Sequence, residues 1–243
     1  MTHPPDARPT SHGNGRSSYE PAGADSPVIR LRDVAFGYSP DRDVLRGASL
    51  EIRAGESVGL IGANGSGKTT LLHLLSGLLA ARSGSVEVLG KARRPKDFDE
   101  IPGRVGLLFQ DSDDQLFCPT VAEDVAFGPL NQGRPRREVA ELVRRTLEEL
   151  GLGGYEDRIT YRLSGGEKRL AALAAVLAME PAVLLLDEPT AGLDEAAAER
   201  VAAILTQLPQ AKLIVSHDRA LLRRVCRRFV VLKDGQLRET DAV

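Results

Sequence analysis

The 243-residue sequence has two cysteines, no excess of charge of one sign and no long apolar run, and each shortage closes off a class of protein. Cys118 and Cys226 stand alone, at no metal-ligand spacing and in no disulfide framework, which points to a reducing compartment. Lys and Arg number 32 against 34 Asp and Glu, a formal net charge of −2, so the broad basic surface of a nucleic-acid binder is missing and no nucleic-acid partner is expected. The basic runs "RPRRE" and "LLRRVCRR" read as solvated helix faces. The most apolar run, "LAALAAVLAM", is cut by Glu180-Pro181 well short of the ~20 residues a bilayer requires. Residues 1–27, rich in Pro, Gly, Ser and His, show neither the apolar centre of a signal peptide nor hydrophobic periodicity, and a disordered tail is expected there.

From residue 28 onward the pattern is that of alternating strands and helices. "VIRLRDVAFGY" alternates as an edge strand would, and "ASLEIRAG", "ESVGLIG" and "GSVEVLG" read as further strands. "KTTLLHLLSGLL" is predicted helical, and "RVGLLFQ" a buried strand ending at Gln110. The texture then changes: "TVAEDVAFGPL" and "REVAELVRRTLEELG" read as helices, the second with Val139, Leu142, Val143, Leu147 and Leu150 on one face. A helix from Ser164, the strand "AVLLLDE", the helix "EAAAERVAAILTQL", the strand "KLIVSH" and the hairpin "RFVVLKDGQLRET" complete the chain. The expected fold is α/β, a P-loop nucleotide-binding core with a mainly parallel sheet and N-terminal antiparallel strands. One domain over 28–243 is expected, its core formed by 28–110 and 164–243 and interrupted by a helical subdomain at 111–163.

Two stretches carry the features of a phosphate cradle. "GANGSGKTT" (Gly62, Ala63, Asn64, Gly65, Ser66, Gly67, Lys68, Thr69, Thr70) matches G-x-x-x-x-G-K-[ST] between a predicted strand and a predicted helix. Its glycines let successive N–H groups turn inward, Lys68 reaches the β- and γ-phosphates, and the Thr69 hydroxyl joins a Mg²⁺ shell. "VLLLDE" is an apolar strand that delivers Asp187, the natural Mg²⁺ ligand, and Glu188, placed to orient or deprotonate a water, at the sheet edge where ligands bind. The second cradle, "LSGGE" (Leu163, Ser164, Gly165, Gly166, Glu167), opens a helix with a capping box and an anion-seeking N-terminus. One ATP needs only one of the two.

Taken together these stretches resemble the ATP-binding subunits of ABC transporters, in the family's order and over about residues 28 to 240. Tyr38 matches the aromatic that stacks on adenine, "GANGSGKTT" the Walker A loop, Gln110 the Q-loop, "LSGGE" the signature and "VLLLDE" the Walker B strand. "AGLD" with Asp194 matches the D-loop, and "SHD" the switch histidine at His217. The resemblance implies ATP and Mg²⁺ as cofactors, with Gln110 near the ion and the γ-phosphate and His217 on the γ-phosphate. It also implies head-to-tail pairing with a second ATPase subunit, identical or different, in which the signature serves the partner's ATP and Asp194 bridges to the partner's Walker A. Glu167 stands where the family usually has Gln, an exchange that leaves the capping box intact.

The segment "QDSDDQLFCPTVAEDVAFGPLNQG" is similar to the ATPases of energy-coupling factor (ECF) importers, including cobalt, nickel and biotin systems, although Asp111-Ser112 stands where that group more often has Asn-Pro. That resemblance implies a place at the cytoplasmic face of the membrane, on an integral scaffold beside a substrate-capturing membrane protein, with Gln115, Leu116 and Phe117 as the contact. Many ECF ATPases continue into a C-terminal dimerisation segment; the few residues after the hairpin make dimer contacts through ATP and the membrane partners the expectation here. An ATPase of another ABC transporter class is the alternative. A soluble, non-transport ABC protein usually joins two cassettes or inserts a long coiled coil, and this chain has a single cassette.

Overall fold

The computed structural model describes residues 27–92 and 104–241, so the tail expected at the N-terminus lies almost wholly outside the described residues. Two sheets form the frame. The first is antiparallel: β1 (Pro27–Phe36) pairs with β2 (Leu45–Arg53) on one side and β4 (Ser83–Val88) on the other, and β5 (Lys91–Ala92) extends it. This corrects the reading of "VIRLRDVAFGY" as an edge: Ile29 faces Ile52 of β2 and Val88 of β4, so β1 is interior. Alternation reports one solvated face, and β1 has that without lying at an edge.

The second sheet runs β10 (Gln236–Glu239), β9 (Arg228–Lys233), β3 (Ser57–Ile61), β8 (Ala211–Val215), β7 (Val183–Asp187), β6 (Val105–Leu108). All neighbours are parallel except the β9–β10 hairpin. Strands β7 and β8 are buried along their whole length, as strands covered on both faces of a parallel sheet are. β6 is the outer strand, buried only on alternate residues, and it ends at Leu108 with Gln110 in the loop beyond, which shortens the strand read from "RVGLLFQ".

The faces of β7 divide the core. Val183 and Leu185 join a cluster with Leu71, Leu72, Leu74 and Leu75 of helix α1 (Lys68–Ser76), under the antiparallel sheet. Leu184 and Leu186 join the other cluster, which holds Val139, Leu142, Val143 and Leu147 of α3 (Arg136–Glu149), all on the stripe read from the sequence. α2 (Val121–Asn131), capped by Thr120, and α3 have no separate core: their apolar faces share this cluster with Leu170 and Leu173 of α4 (Gly165–Ala178). α5 (Glu195–Gln207) and α6 (Arg219–Val225) complete the layer. Helix α1 stops at Ser76, short of the predicted end, because Gly77 takes the left-handed conformation (φ 86°) that closes the helix. Burying Leu147 fully contributes roughly 1.5–3 kcal/mol.

Candidate nucleotide-binding site

At the C-terminal edge of the parallel sheet the ends of β3, β7 and β8 open onto a cleft of about 950 Å³. Gly65 to Thr70 form its floor, Tyr38 one wall, and Gln110, Asp187, Glu188 and His217 the opposite side. The loop from β3 to α1 needs its glycines for two reasons. Gly65 and Gly67 have φ of 74° and 104°, and a Cβ on Gly67 would lie 2.5 Å from Val44 Cγ1. Gly67 is also the N-cap of α1 and supplies no side-chain acceptor, so no cap competes with an anion for the first-turn N–H groups. Lys68 Nζ donates to the carbonyls of Gly62 (2.9 Å) and Ala63 (3.0 Å), which folds the ammonium back over the cradle.

The Thr69 hydroxyl donates to Asp187 Oδ2 at 2.6 Å, tying the helix start to the end of β7. Asp187 is buried, and Glu188, next in sequence, takes φ +51°, a conformation uncommon for a non-glycine residue and typical of constrained functional positions. Its backbone N–H donates to Val215 O at 2.8 Å. Its Oε2 accepts from Ser216 Oγ (3.0 Å) and His217 N (3.2 Å), while Oε1 lies 3.7 Å from His217 Nε2 with no hydrogen-bond partner among the described residues. Tyr38 is 68 % exposed, held edge-on by Phe36 and by a 3.1 Å hydrogen bond between its hydroxyl and Thr70 Oγ1. A ring so exposed is a platform and not core packing.

The residues Leu163 to Glu167 do not line this cleft. Ser164 caps α4, its Oγ accepting from Glu167 N (3.3 Å), while Glu167 Oε2 accepts from Ser164 N (2.7 Å). Ser164 and Gly165 are exposed, and Gly166 packs on the carbonyl of Gly192 in the "AGLD" turn. Asp194, also exposed, caps α5 by accepting from Ala197 N at 2.8 Å. The three residues expected to face a membrane subunit divide. Phe117 is 66 % exposed, but Leu116 packs partly against the core, and Gln115 turns inward. The Gln115 amide accepts from Phe109 N and donates to the carbonyls of Leu107 and Ala172, so its polar head is used inside the fold. Phe127, which sequence reasoning did not single out, takes the vacated place edge-on to Phe117, with ring centroids 4.8 Å apart.

Three further residues escaped the sequence reading. Arg169 of α4 is buried against the ends of β6 and β7. Asp124 is buried too, and its Oδ1 accepts from the N–H groups of Phe117 and Cys118, shaping the loop that presents Phe117. Tyr155 donates its hydroxyl to Glu167 Oε1 at 2.8 Å and carries the Arg158 guanidinium over its ring. Hydrogen bonds from Ser164 N and from Tyr155 hold the Glu167 carboxyl below the usual carboxylate range.

A glycine loop between strand and helix, with an acid-tipped strand one place removed in the same parallel sheet, defines a P-loop nucleotide-binding domain. Comparison with known proteins takes this further. The ABC transporter family model matches residues 45–191. A protein of Brucella suis biovar 1 named as an ABC transporter ATP-binding protein is 55 % identical over 212 residues, covering 87 % of this chain and 88 % of its own. The energy-coupling factor transporter ATP-binding protein EcfA of Methanothermobacter thermautotrophicus is 44 % identical over 216 residues, 86 % of this chain and 69 % of its own. Among solved structures, cbiO1 of Clostridium perfringens, part of the ABC transporter complex cbiONQ, aligns with TM-score 0.75 at 32 % identity over 87 % of both chains. The dimeric ATP-binding cassette MJ0796, in a post-hydrolysis state with ADP and phosphate, aligns with TM-score 0.81 at 26 % identity over 87 % of this chain and 97 % of that one. The chain therefore belongs to the ABC transporter family, as an ATP-binding and ATP-hydrolysing subunit. Among the described residues no helix is long and apolar enough to cross a membrane.

Proposed function

We propose that this chain is the ATPase of an ECF-type importer, pairing with a second ATPase subunit at the cytoplasmic face of the membrane to drive uptake of a transition-metal ion such as cobalt or nickel, or of a vitamin such as biotin. The observation that carries the paired arrangement is that the α4 N-terminus is built as a phosphate cradle yet stands outside its own chain's cleft, exposed. Ser164 and Gly165 are exposed there, so the helix start can turn its N–H groups and dipole toward a phosphate oxygen of the partner's ATP. The likeness to EcfA and cbiO1 supports the ECF class. The exposed Phe117–Phe127 pair offers a groove-filling anchor for a helix of a membrane scaffold.

Within each cleft, Tyr38 stacks on the base, and the loop N–H groups with Lys68 hold the β- and γ-phosphates. The donor set fits Mg²⁺: Thr69, Asp187 and Gln110 offer only hard oxygen ligands at the phosphate end of the cleft, with the remaining positions left to water and phosphate. Bound there, the ion neutralises phosphate charge. Glu188 lines the cleft, and its carboxylate, whose Oε1 has no hydrogen-bond partner among the described residues, accepts the proton of the attacking water as the bond from the γ-phosphorus to ADP breaks. His217, beside it, steadies the γ-phosphate. Closure of the dimer around two ATP and reopening after hydrolysis move the helical layer and with it the scaffold.

The test is to purify the tagged protein from its own host's membranes in mild detergent and identify its companions by mass spectrometry. A small integral scaffold with a small substrate-capturing membrane protein supports the ECF assignment. Large paired permeases, or no membrane protein, overturn it while leaving the ATPase intact.

A further inference from the structure

Arg169, on the second turn of α4, is 2 % exposed, and among the described residues its guanidinium donates only to main-chain oxygens. Nε and Nη2 reach Glu188 O at 3.0 and 2.6 Å, and Nη2 also reaches Asp187 O. Nη1 reaches Phe109 O, and Gln110 O at 3.3 Å. One planar fork thus joins the loop after β6 to the end of β7. Burial lowers the pKa of the group to about 10, against the attraction of Asp187, Glu188 and Asp111, so it stays a cation at neutral pH. Packing alone does not call for a buried cation, since an apolar side chain of the same volume avoids the desolvation cost.

What the cation holds is the strained part of the site. The left-handed Glu188 is fixed on its N–H by Val215 and on its carbonyl by Arg169 and by Ala191 N (3.1 Å). The first turn of the same helix is the exposed cradle at Ser164 and Gly165. A rigid helix displaced at its N-terminus carries Arg169 with it, and a guanidinium bonded to Phe109, Gln110, Asp187 and Glu188 transmits that displacement to all four carbonyls together.

We propose that Arg169 is the positioning residue that makes the two hydrolysis sites of a dimer cooperative: the partner's ATP, engaged at Ser164, sets through Arg169 the backbone geometry of this chain's Glu188. The inference rests on the proposed role of the α4 N-terminus toward the partner's ATP. Lysine retains the charge but lacks the fork that bridges two strand ends.

The experiment compares the full-length protein with Arg169→Lys, Arg169→Met and Ser164→Arg. It measures ATPase rate against ATP concentration, ATP binding at low protein concentration, and melting temperature. Expected for both Arg169 variants are ATP affinity within about twofold, a kcat lowered about 10²-fold by misplacement of the carboxylate, and a Hill coefficient that falls from above 1 to 1. Rates are expressed per ATP-binding site, so that loss of folded protein alone leaves kcat and the Hill coefficient unmoved; if the Met variant does not fold, the Lys variant decides. Unchanged kcat and Hill coefficient in the Arg169 variants, with Ser164→Arg abolishing cooperativity, overturn this inference alone. A Ser164→Arg protein as cooperative as the parent removes the partner role of α4, and the inference falls with it.

Discussion

Glu188→Gln separates nucleotide binding from chemistry, and the structure sets the size of the effect. The two side chains are isosteric. The new amide oxygen can keep both bonds of Oε2, from Ser216 Oγ at 3.0 Å and His217 N at 3.2 Å, which turns the NH2 group into the place of Oε1. Oε1 is the acceptor without a partner among the described residues, 3.7 Å from His217 Nε2, so the exchange converts that acceptor into a donor that takes no proton. Losing a general base lowers the rate by about 10²–10⁴, or about 2.7–5.4 kcal/mol at 1.36 kcal/mol per tenfold. Folding stability should move by less than about 1 kcal/mol, since no buried bond is lost. The cradle at Gly65–Thr70 is untouched, so ATP affinity should hold, and an ATP-bound dimer should accumulate. Phosphate release, equilibrium ATP binding and size-exclusion chromatography with ATP read the three quantities. A kcat within threefold of the parent would show that Glu188 is not the base, whatever the binding does.

Other outcomes follow from the same geometry. Tyr38→Ala should weaken ATP binding by about 1–3 kcal/mol, the worth of stacking a base on an aromatic ring, while Tyr38→Phe, which loses only the bond to Thr70, should stay close to the parent; fluorescence titration with a nucleotide analogue distinguishes them. Phe117→Asp combined with Phe127→Asp should abolish co-purification with membrane proteins and leave ATP affinity unchanged, because both rings are exposed and away from the cleft. Leu147→Ala should cost about 2–5 kcal/mol in urea unfolding, since the side chain is fully buried on the inner face of α3. Burial holds the pKa of His73 below its ordinary 6.5, against the opposing pull of Asp187. Above 6.5 both folded and unfolded states are neutral there; as pH falls through 6.5 the unfolded chain protonates first, and stability declines until the folded pKa is passed. Melting temperatures recorded from about pH 8 to about pH 5 should fall less steeply for His73→Gln than for the parent.

Periodicity made most of the fold legible: the α3 stripe and the continuous apolar β7 each report a local energy that a single segment contains. Spacing within one segment likewise placed the cradle and the two acids. What escaped depends on partners distant in sequence. β1 is interior because β4 returns to it across the whole of α1, and nothing within "VIRLRDVAFGY" reports that pairing. Gln115 was grouped with Phe117 by adjacency, yet the carbonyl of Ala172, 57 residues away, helps to draw its amide inward. Arg169 reads as one more cation in a charged helix start until the ends of β6 and β7 are brought to it.

The two helix starts differ in a way that fits the proposed pairing. The start of α1 has no side-chain cap, so its donors are best satisfied when a phosphate lies against them, which suits a site that binds nucleotide within one chain. In the proposed pairing the start of α4 must remain stable while exposed, before a partner engages it. Ser164 and Glu167 supply a complete capping box for that interval. Glu167 nevertheless places a carboxylate on the turn proposed to meet the partner's phosphate, an arrangement that works against the helix dipole as an anion trap. The hydroxyl of Tyr155 at 2.8 Å and the guanidinium of Arg158 at 3.4 Å draw on that charge from the side, with Arg158 held in place over the Tyr155 ring. The carboxylate thereby keeps its structural bonds to the helix start, while an adjacent cation offsets its field, and Ser164 and Gly165 stay exposed.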